Sequence, residues 1–155
     1  MTDTFPTVAE LAAEEEELQF SSFSNDDAWR LGTGLRELAA RQAAPVAIDI
    51  SRNGSQLFRA ALPGATPDNE AWIERKQRVV HRFGHSTLYV RQTFVERGTT
   101  FEQQSGLDPQ LYAAHGGGFP VTVRSVGPVG VLVVSGLPQL EDHRLIVTAL
   151  RAHLG

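Results

Sequence analysis

A chain of 155 residues with 41% hydrophobic and 21% charged side chains is long enough for one domain with a substantial core. No apolar run approaches the ~20 residues needed to span a bilayer, which excludes helical membrane insertion; the longest lies at residues 129–134. With no cysteine there are no disulfides, thiolate ligands or thiol nucleophile, as expected of a cytoplasmic protein.

The net charge of −4 hides an asymmetry. Residues 1–27 carry eight acidic side chains and no Lys or Arg, whereas the remaining 128 carry ten acidic and fourteen basic ones. The start, Met1-Thr2-Asp3, lacks the basic and apolar regions of a secretory signal. The basic residues are few and mostly not interleaved with aromatic ones, so there is no nucleic-acid footprint. The acidic surplus reads as a helical arm at about residues 6–19. Its Glu14, Glu15, Glu16 and Glu17 are expected either to form a solvated face or to dock on a basic body or a neighbouring subunit.

Taken in order, Thr7-Val8-Ala9-Glu10 behind Pro6 has the form of a capping box. Val8, Leu11, Ala12, Glu15 and Leu18 keep helical spacing, and Leu18, Phe20 and Ser22 then alternate as a brief strand. Ser24 or Asn25 caps the next helix, with Asp26 and Asp27 at the positive end of its dipole. That helix should reach about Ala43 and bury Ala28, Leu31, Leu35 and Leu38, with Gly32 and Gly34 marking close packing. Beyond Pro45, residues 46–50 read as a buried strand, Arg52-Asn53-Gly54-Ser55 as a turn, and 56–62 as the returning strand.

A loop at 63–67 leads to a helix that begins near Asp68 or Asn69 and stops at Gly84. Ser86 caps another over roughly 87–97, ended by Gly98. Asp108-Pro109 reads as a cap with proline at the first helical position, giving a short helix to Ala114. After His115-Gly116-Gly117-Gly118, residues 119–124 and 129–135 make a second hairpin around Val126-Gly127-Pro128. Gly136-Leu137-Pro138 turns into a last helix, about 139–153, with Leu140, Val147, Leu150 and Leu154 inward. No repeat or low-complexity linker divides the chain, so residues 1–155 form a single α+β domain. Its sheet should be mostly antiparallel with helices packed against it.

The chemistry concentrates in residues 72–86. At about 100° per residue, Trp72, Ile73, Val79, Val80 and Phe83 share one helix face. Lys76, the single lysine among fourteen basic residues, projects from near the middle of that face, and Arg75, Arg78 and Arg82 line a flank. An ammonium group among apolar side chains costs energy unless it is paired. Either its head snorkels to water at the rim, or it serves in a pocket as an anion-binding or catalytic group.

Other motifs are excluded or ambiguous. The glycines at 116–118 are not a dinucleotide fingerprint, because the spacing is wrong and they precede a strand instead of opening a helix. They suit either close backbone approach to a ligand or helix termination and strand entry. No Gly-x-Ser-x-Gly elbow, His-Glu-x-x-His motif or phosphate loop is present. His81 and His85 share i,i+4 spacing, but Gly84 interrupts the helix and His81 faces away from the apolar stripe, so no metal site is expected. His143 is angularly close to Leu140 and Val147, and His115 borders the glycine run beside a cleft; each also reads as an ordinary structural histidine.

Several segments together resemble a known family. They are Trp72-Ile73-Glu74-Arg75-Lys76, Arg82-Phe83-Gly84-His85-Ser86, Gly117-Gly118-Phe119-Pro120-Val121, the run from Val129 through Ser135-Gly136-Leu137-Pro138-Gln139, and Glu141-Asp142-His143. They are similar to the haem-degrading-domain family of GlcG-like and HbpS-like proteins, and within it to a branch of small, stand-alone, functionally uncharacterised proteins. The likeness covers about residues 11–150. It implies a profilin-like sandwich with a central five-stranded antiparallel sheet, and assembly into homo-oligomers larger than a dimer. It also implies haem or another tetrapyrrole as a candidate cofactor. Against a direct transfer, there is no Cys-x-x-Cys-His, Met1 is the one methionine, and no histidine has a forced axial role. The matching motif positions cluster Arg75, Lys76, Ser86, Asp142 and His143. Trp72 and His115 complete the candidate ligand-binding set, with Lys76 expected to meet Asp142 or His143 in a cleft.

Three function classes follow: an oligomeric binding protein for a small anionic ligand, an enzyme using Lys76 with Asp142 or His143 as acid–base groups, and a scaffold or chaperone-associated protein whose acidic arm contacts a partner. No complete nucleophile–base–oxyanion set is identifiable for the second.

Overall fold

Two hairpins meet side by side to make the sheet. The computed structural model describes residues 4–155, and the acidic start Met1-Thr2-Asp3 lies outside the described residues. The strands are β1 (Ala47–Arg52), β2 (Ser55–Ala61), β3 (Gly118–Val123) and β4 (Gly127–Ser135), in the order β2-β1-β4-β3. All neighbouring pairs are antiparallel, and β4 sets Val134 opposite Ile48 and Leu132 opposite Ile50. The β1–β2 turn is closed by Asn53 and Gly54, both at positive φ (50° and 82°), the geometry a two-residue hairpin favours.

Among the described residues six helices surround the sheet: α1 (Val8–Glu17), α2 (Asn25–Arg41), α3 (Asp68–Phe83), α4 (Thr87–Glu96), the short α5 (Phe101–Gln104) and α6 (Gln139–Leu154). Strand alternation sends Ile48, Ile50, Phe119, Leu132 and Val134 into a core with Leu31 and Leu35 of α2 and Ile146 and Leu150 of α6. Ala47, Val131 and Val133 form a second cluster with Ile73 and Val80 of α3. The sheet therefore lies between helical layers. Two smaller clusters complete the packing: Val79, Val90, Phe94 and Phe101 join α3, α4 and α5, and Leu11, Leu88 and Leu140 join α1, α4 and α6.

Local capping signals hold. Thr7 and Ser24 each form a capping box with the residue three positions on, and Ser86 accepts from the Tyr89 amide. Gly32 packs so tightly on the Phe58 ring that a Cβ there would lie 2.4 Å from it, whereas Gly34 has nothing near.

Four expectations are corrected. The sheet has four strands among the described residues, not five. The alternating residues 18–22 contribute one parallel bridge, Phe20 with Val123, while Leu18, Phe20 and Phe23 all turn inward as a short linker between α1 and α2. The helix expected after Asp108 is a single turn, with the Leu111 and Tyr112 amides both bonded to the Asp108 carbonyl and nothing propagating it. Leu38 and Leu154 flank the core instead of lying fully within it.

Candidate functional site

The site forms where α3, the end of β4 and the start of α6 converge. Lys76 does not snorkel. Its side chain is 3% exposed, and Nζ donates to the Val134 carbonyl at 2.9 Å and to Asp142 Oδ2 at 3.2 Å. Asp142, on the first turn of α6, is equally buried, and its Oδ1 accepts from the Leu137 amide at 3.0 Å. Gly117 makes this geometry attainable. It sits at φ 125°, and a Cβ there would lie 2.5 Å from Lys76 Nζ and 2.4 Å from the Val134 carbonyl oxygen. Of the two uses open to the glycine run, close backbone approach is the one seen at Gly117, and what approaches is the protein's own lysine.

Burial dominates the electrostatics of the pair. It pulls the Lys76 ammonium below the ordinary lysine range despite the carboxylate beside it. It pushes the Asp142 carboxyl up to about 6, against the opposing pull of Lys76 and of the Leu137 and Gly136 amides. Both shifts favour the uncharged form of each group. An exposed ion pair, which keeps its water, has no such bias.

Beside the pair lies a cavity of about 280 Å³ lined by Asn69, Trp72, Lys76, His115, Ser135, Gly136, Leu137, Gln139 and Asp142. The His115 ring stands edge-on to Trp72 with centroids 5.2 Å apart, and burial pulls its imidazole below the usual histidine range. Asn69 Nδ2 donates to Ser135 Oγ at 3.4 Å.

The structure therefore brings together Trp72, Lys76, His115 and Asp142, and separates the other three expected residues. Arg75 stacks 4.3 Å over Trp72 and donates twice to the Pro109 carbonyl, so its guanidinium anchors the 108–113 loop. Ser86 is the buried cap of α4, and its amide donates to Glu15. His143 is 1% exposed but points away from Lys76, with Nε2 2.7 Å from Glu14 of α1. The acidic arm is accordingly not a merely solvated face, because Glu14 meets His143, Glu15 meets His85 and Glu17 meets Arg151 of its own chain. Asn69, Ser135 and Gln139 also line the cavity, and nothing in their own sequence neighbourhoods marks them as site residues, although Ser135 and Gln139 lie within the family-like run ending Ser135-Gly136-Leu137-Pro138-Gln139.

Among the described residues, no group of three or more His, Asp or Glu is placed to hold a metal ion, and no helix is long and apolar enough to cross a membrane.

Fold and cleft together define a small α+β protein with a buried lysine–carboxylate pair at the edge of a cavity. Residues 23–151 match the family described as haem degrading protein HbpS-like, and the chain belongs to that family. It is 61% identical over 152 residues to a UPF0303 protein of Streptomyces coelicolor, covering 98% of this chain and 96% of the relative. The crystal structure of the Ybr137w protein superposes with a TM-score of 0.87 at 38% identity, covering 96% of this chain and 87% of that one. A PduOC–haem complex shares the fold, with a TM-score of 0.69 at 22% identity over 84% of this chain and 94% of that one.

Proposed function

We propose that this protein is an oligomeric binding protein whose Lys76 cleft takes a small anionic ligand. One observation carries the reading: the chain's single lysine is buried at the wall of a cavity, beside a carboxyl group that burial has made easy to neutralise. When Asp142 is protonated and Lys76 keeps its ammonium, that charge lacks a counter-ion, and an incoming anion supplies it. The N-terminal turn of α6 adds the positive end of a helix dipole to the same wall. Asn69, Ser135 and Gln139 provide polar groups to orient the ligand.

Haem is one ligand to test, since a protein of this fold has been crystallised with it. The residues present fit it only in part. A cavity of about 280 Å³ lies just under the ~300–1,000 Å³ typical of ligand pockets, and a whole macrocycle exceeds it. His115 is the only histidine on its wall. The chemistry suits a carboxylate, such as a haem propionate or a small organic acid. Assembly beyond a dimer belongs to the same reading, and the exposed Trp29, Leu111 and Val126 offer apolar surface for it; light scattering reads the oligomer directly.

The test is a titration with haemin followed in the Soret region and, in parallel, calorimetry with a small carboxylate, each on wild type, Lys76→Met and His115→Ala. Saturable binding that Lys76→Met abolishes supports the cleft. Binding unchanged by Lys76→Met, or none to either ligand, overturns it.

A further inference from the structure

Resting on that reading of the cleft, we propose that Lys76 captures small oxo acids covalently, as a reversible imine, with Asp142 moving the proton. Three observations lead there. The first is the choice of residue. The chain has fourteen basic residues and only one is an amine. A guanidinium holds its proton throughout the working pH range and serves where charge alone is needed. The one side chain that can shed its proton to become a nucleophile is the one placed at the cavity.

The second observation is that the contacts around Nζ suit a neutral pair as well as a charged one. Val134 accepts an N–H at 2.9 Å. At 3.2 Å, a protonated Asp142 Oδ2 can donate to the amine lone pair, while Oδ1 still accepts from Leu137. No atom loses a partner when the proton moves from ammonium to carboxylate. Burial drives both groups in that direction, as it does for lysines that form Schiff bases in desolvated pockets.

The third is the rest of the wall. Asn69 and Gln139, whose side-chain amides carry N–H donors suited to a ligand carboxylate, line the same cavity as Lys76 and Asp142.

The step balances. The Lys76 amine attacks the ligand carbonyl carbon and forms a C–N bond, while the carbonyl π pair becomes an alkoxide. Asp142 relays the amine proton to that oxygen, giving a carbinolamine. A proton from the Asp142 carboxyl then lets the hydroxyl leave as water. The products are a protonated imine on Lys76 and an Asp142 carboxylate as its counter-ion. Nothing is oxidised or reduced, and hydrolysis reverses it.

The experiment incubates the full chain with pyruvate and sodium cyanoborohydride, then reads intact mass and a peptide map. The expected result is one carboxyethyl group on the Lys76 peptide, labelled at least tenfold faster than with acetone. Excess isobutyrate, which has the carboxylate but no carbonyl, should protect. Asp142→Asn should slow labelling roughly 100-fold, the scale of a positioned acid–base group. Because Lys76 is the sole lysine, any label left on Lys76→Arg reports the terminal amine alone. Labelling confined to that terminus, or equal with acetone, overturns the imine. If Lys76→Arg does not fold, isobutyrate protection on wild type decides the matter: no protection overturns the proposal. Calorimetry with pyruvate and no reductant separates the two readings. Saturable binding without labelling removes the imine and leaves the anion site standing; absence of both removes both.

Discussion

Asp142→Asn should expose a pH dependence opposite to that of an ordinary salt bridge. An unburied aspartate titrates near 3.8, and in the fold Asp142 is pushed up to about 6. Between those values the folded state holds more protons than the unfolded one, so stability falls as the pH rises. The contribution is fully present below about pH 4 and lost by a little above pH 6. At 1.36 kcal/mol per pH unit, that interval corresponds to about 3 kcal/mol. Urea unfolding of wild type and Asp142→Asn between pH 4 and 7.5 measures it as a difference. Taking the difference cancels Glu15 and Asp49, which burial pushes the same way, and Glu10, Asp27 and Glu17, whose hydrogen bonds pull the other way. Wild type should lose roughly 2–2.5 kcal/mol relative to the variant over this range, the remainder lying below pH 4. A difference that is flat, or that moves in favour of wild type as the pH rises, would show that the Lys76 charge outweighs desolvation. That outcome would refute the dominance of burial at this pair.

Two further predictions concern stability at pH 7.5. Lys76→Met leaves Asp142 and the Val134 carbonyl buried without the ammonium and should cost about 3–5 kcal/mol; adding Asp142→Leu should recover most of that, as buried pairs replaced together by apolar groups often do. A double-mutant cycle by urea unfolding checks it, and additive losses would contradict it. Leu11→Ala should cost about 2–5 kcal/mol, because Leu11 is wholly buried against Leu88 and Leu140. A loss below about 1 kcal/mol would mean that the arm packs loosely.

The helices were legible wherever a local signal set them. Thr7 with Glu10 and Ser24 with Asp27 are three-residue relationships that the sequence carries by itself, and their caps form as expected. The 18–22 segment shows the opposite case. Its alternation was visible, but a strand needs a partner row, and the single bridge to Val123 depends on tertiary placement. Helix α5 had no periodicity to reveal it, since Phe101 is its one buried residue and Thr100 its only cap. At the site, Lys76 was conspicuous as a lone cation on an apolar face. Asn69, Ser135 and Gln139 were not, because each is a polar residue at or near the end of an element, drawn into the cavity wall by chain crossings far apart in sequence.

The choice between Asp142 and His143 as the partner of Lys76 was left open by sequence and is settled by helix geometry. Consecutive residues lie about 100° apart around a helix, so α6 cannot aim both at one amine. Yet both are buried, and each needs a polar partner on a different side. The body supplies Lys76 to Asp142, and the acidic arm supplies Glu14 to His143. Rotating α6 to bring His143 to the cleft would strand the carboxylate, the Leu137 amide and Glu14 together. The two contacts thus fix the rotation of α6 from two faces about 100° apart, one turned to the cleft and one to the arm. His143 Nδ1 has no hydrogen-bond partner among the described residues. On this side of α6, Glu14 is therefore the histidine's one hydrogen-bonded anchor, which makes the arm a working part of the site's support and not an appendage to it.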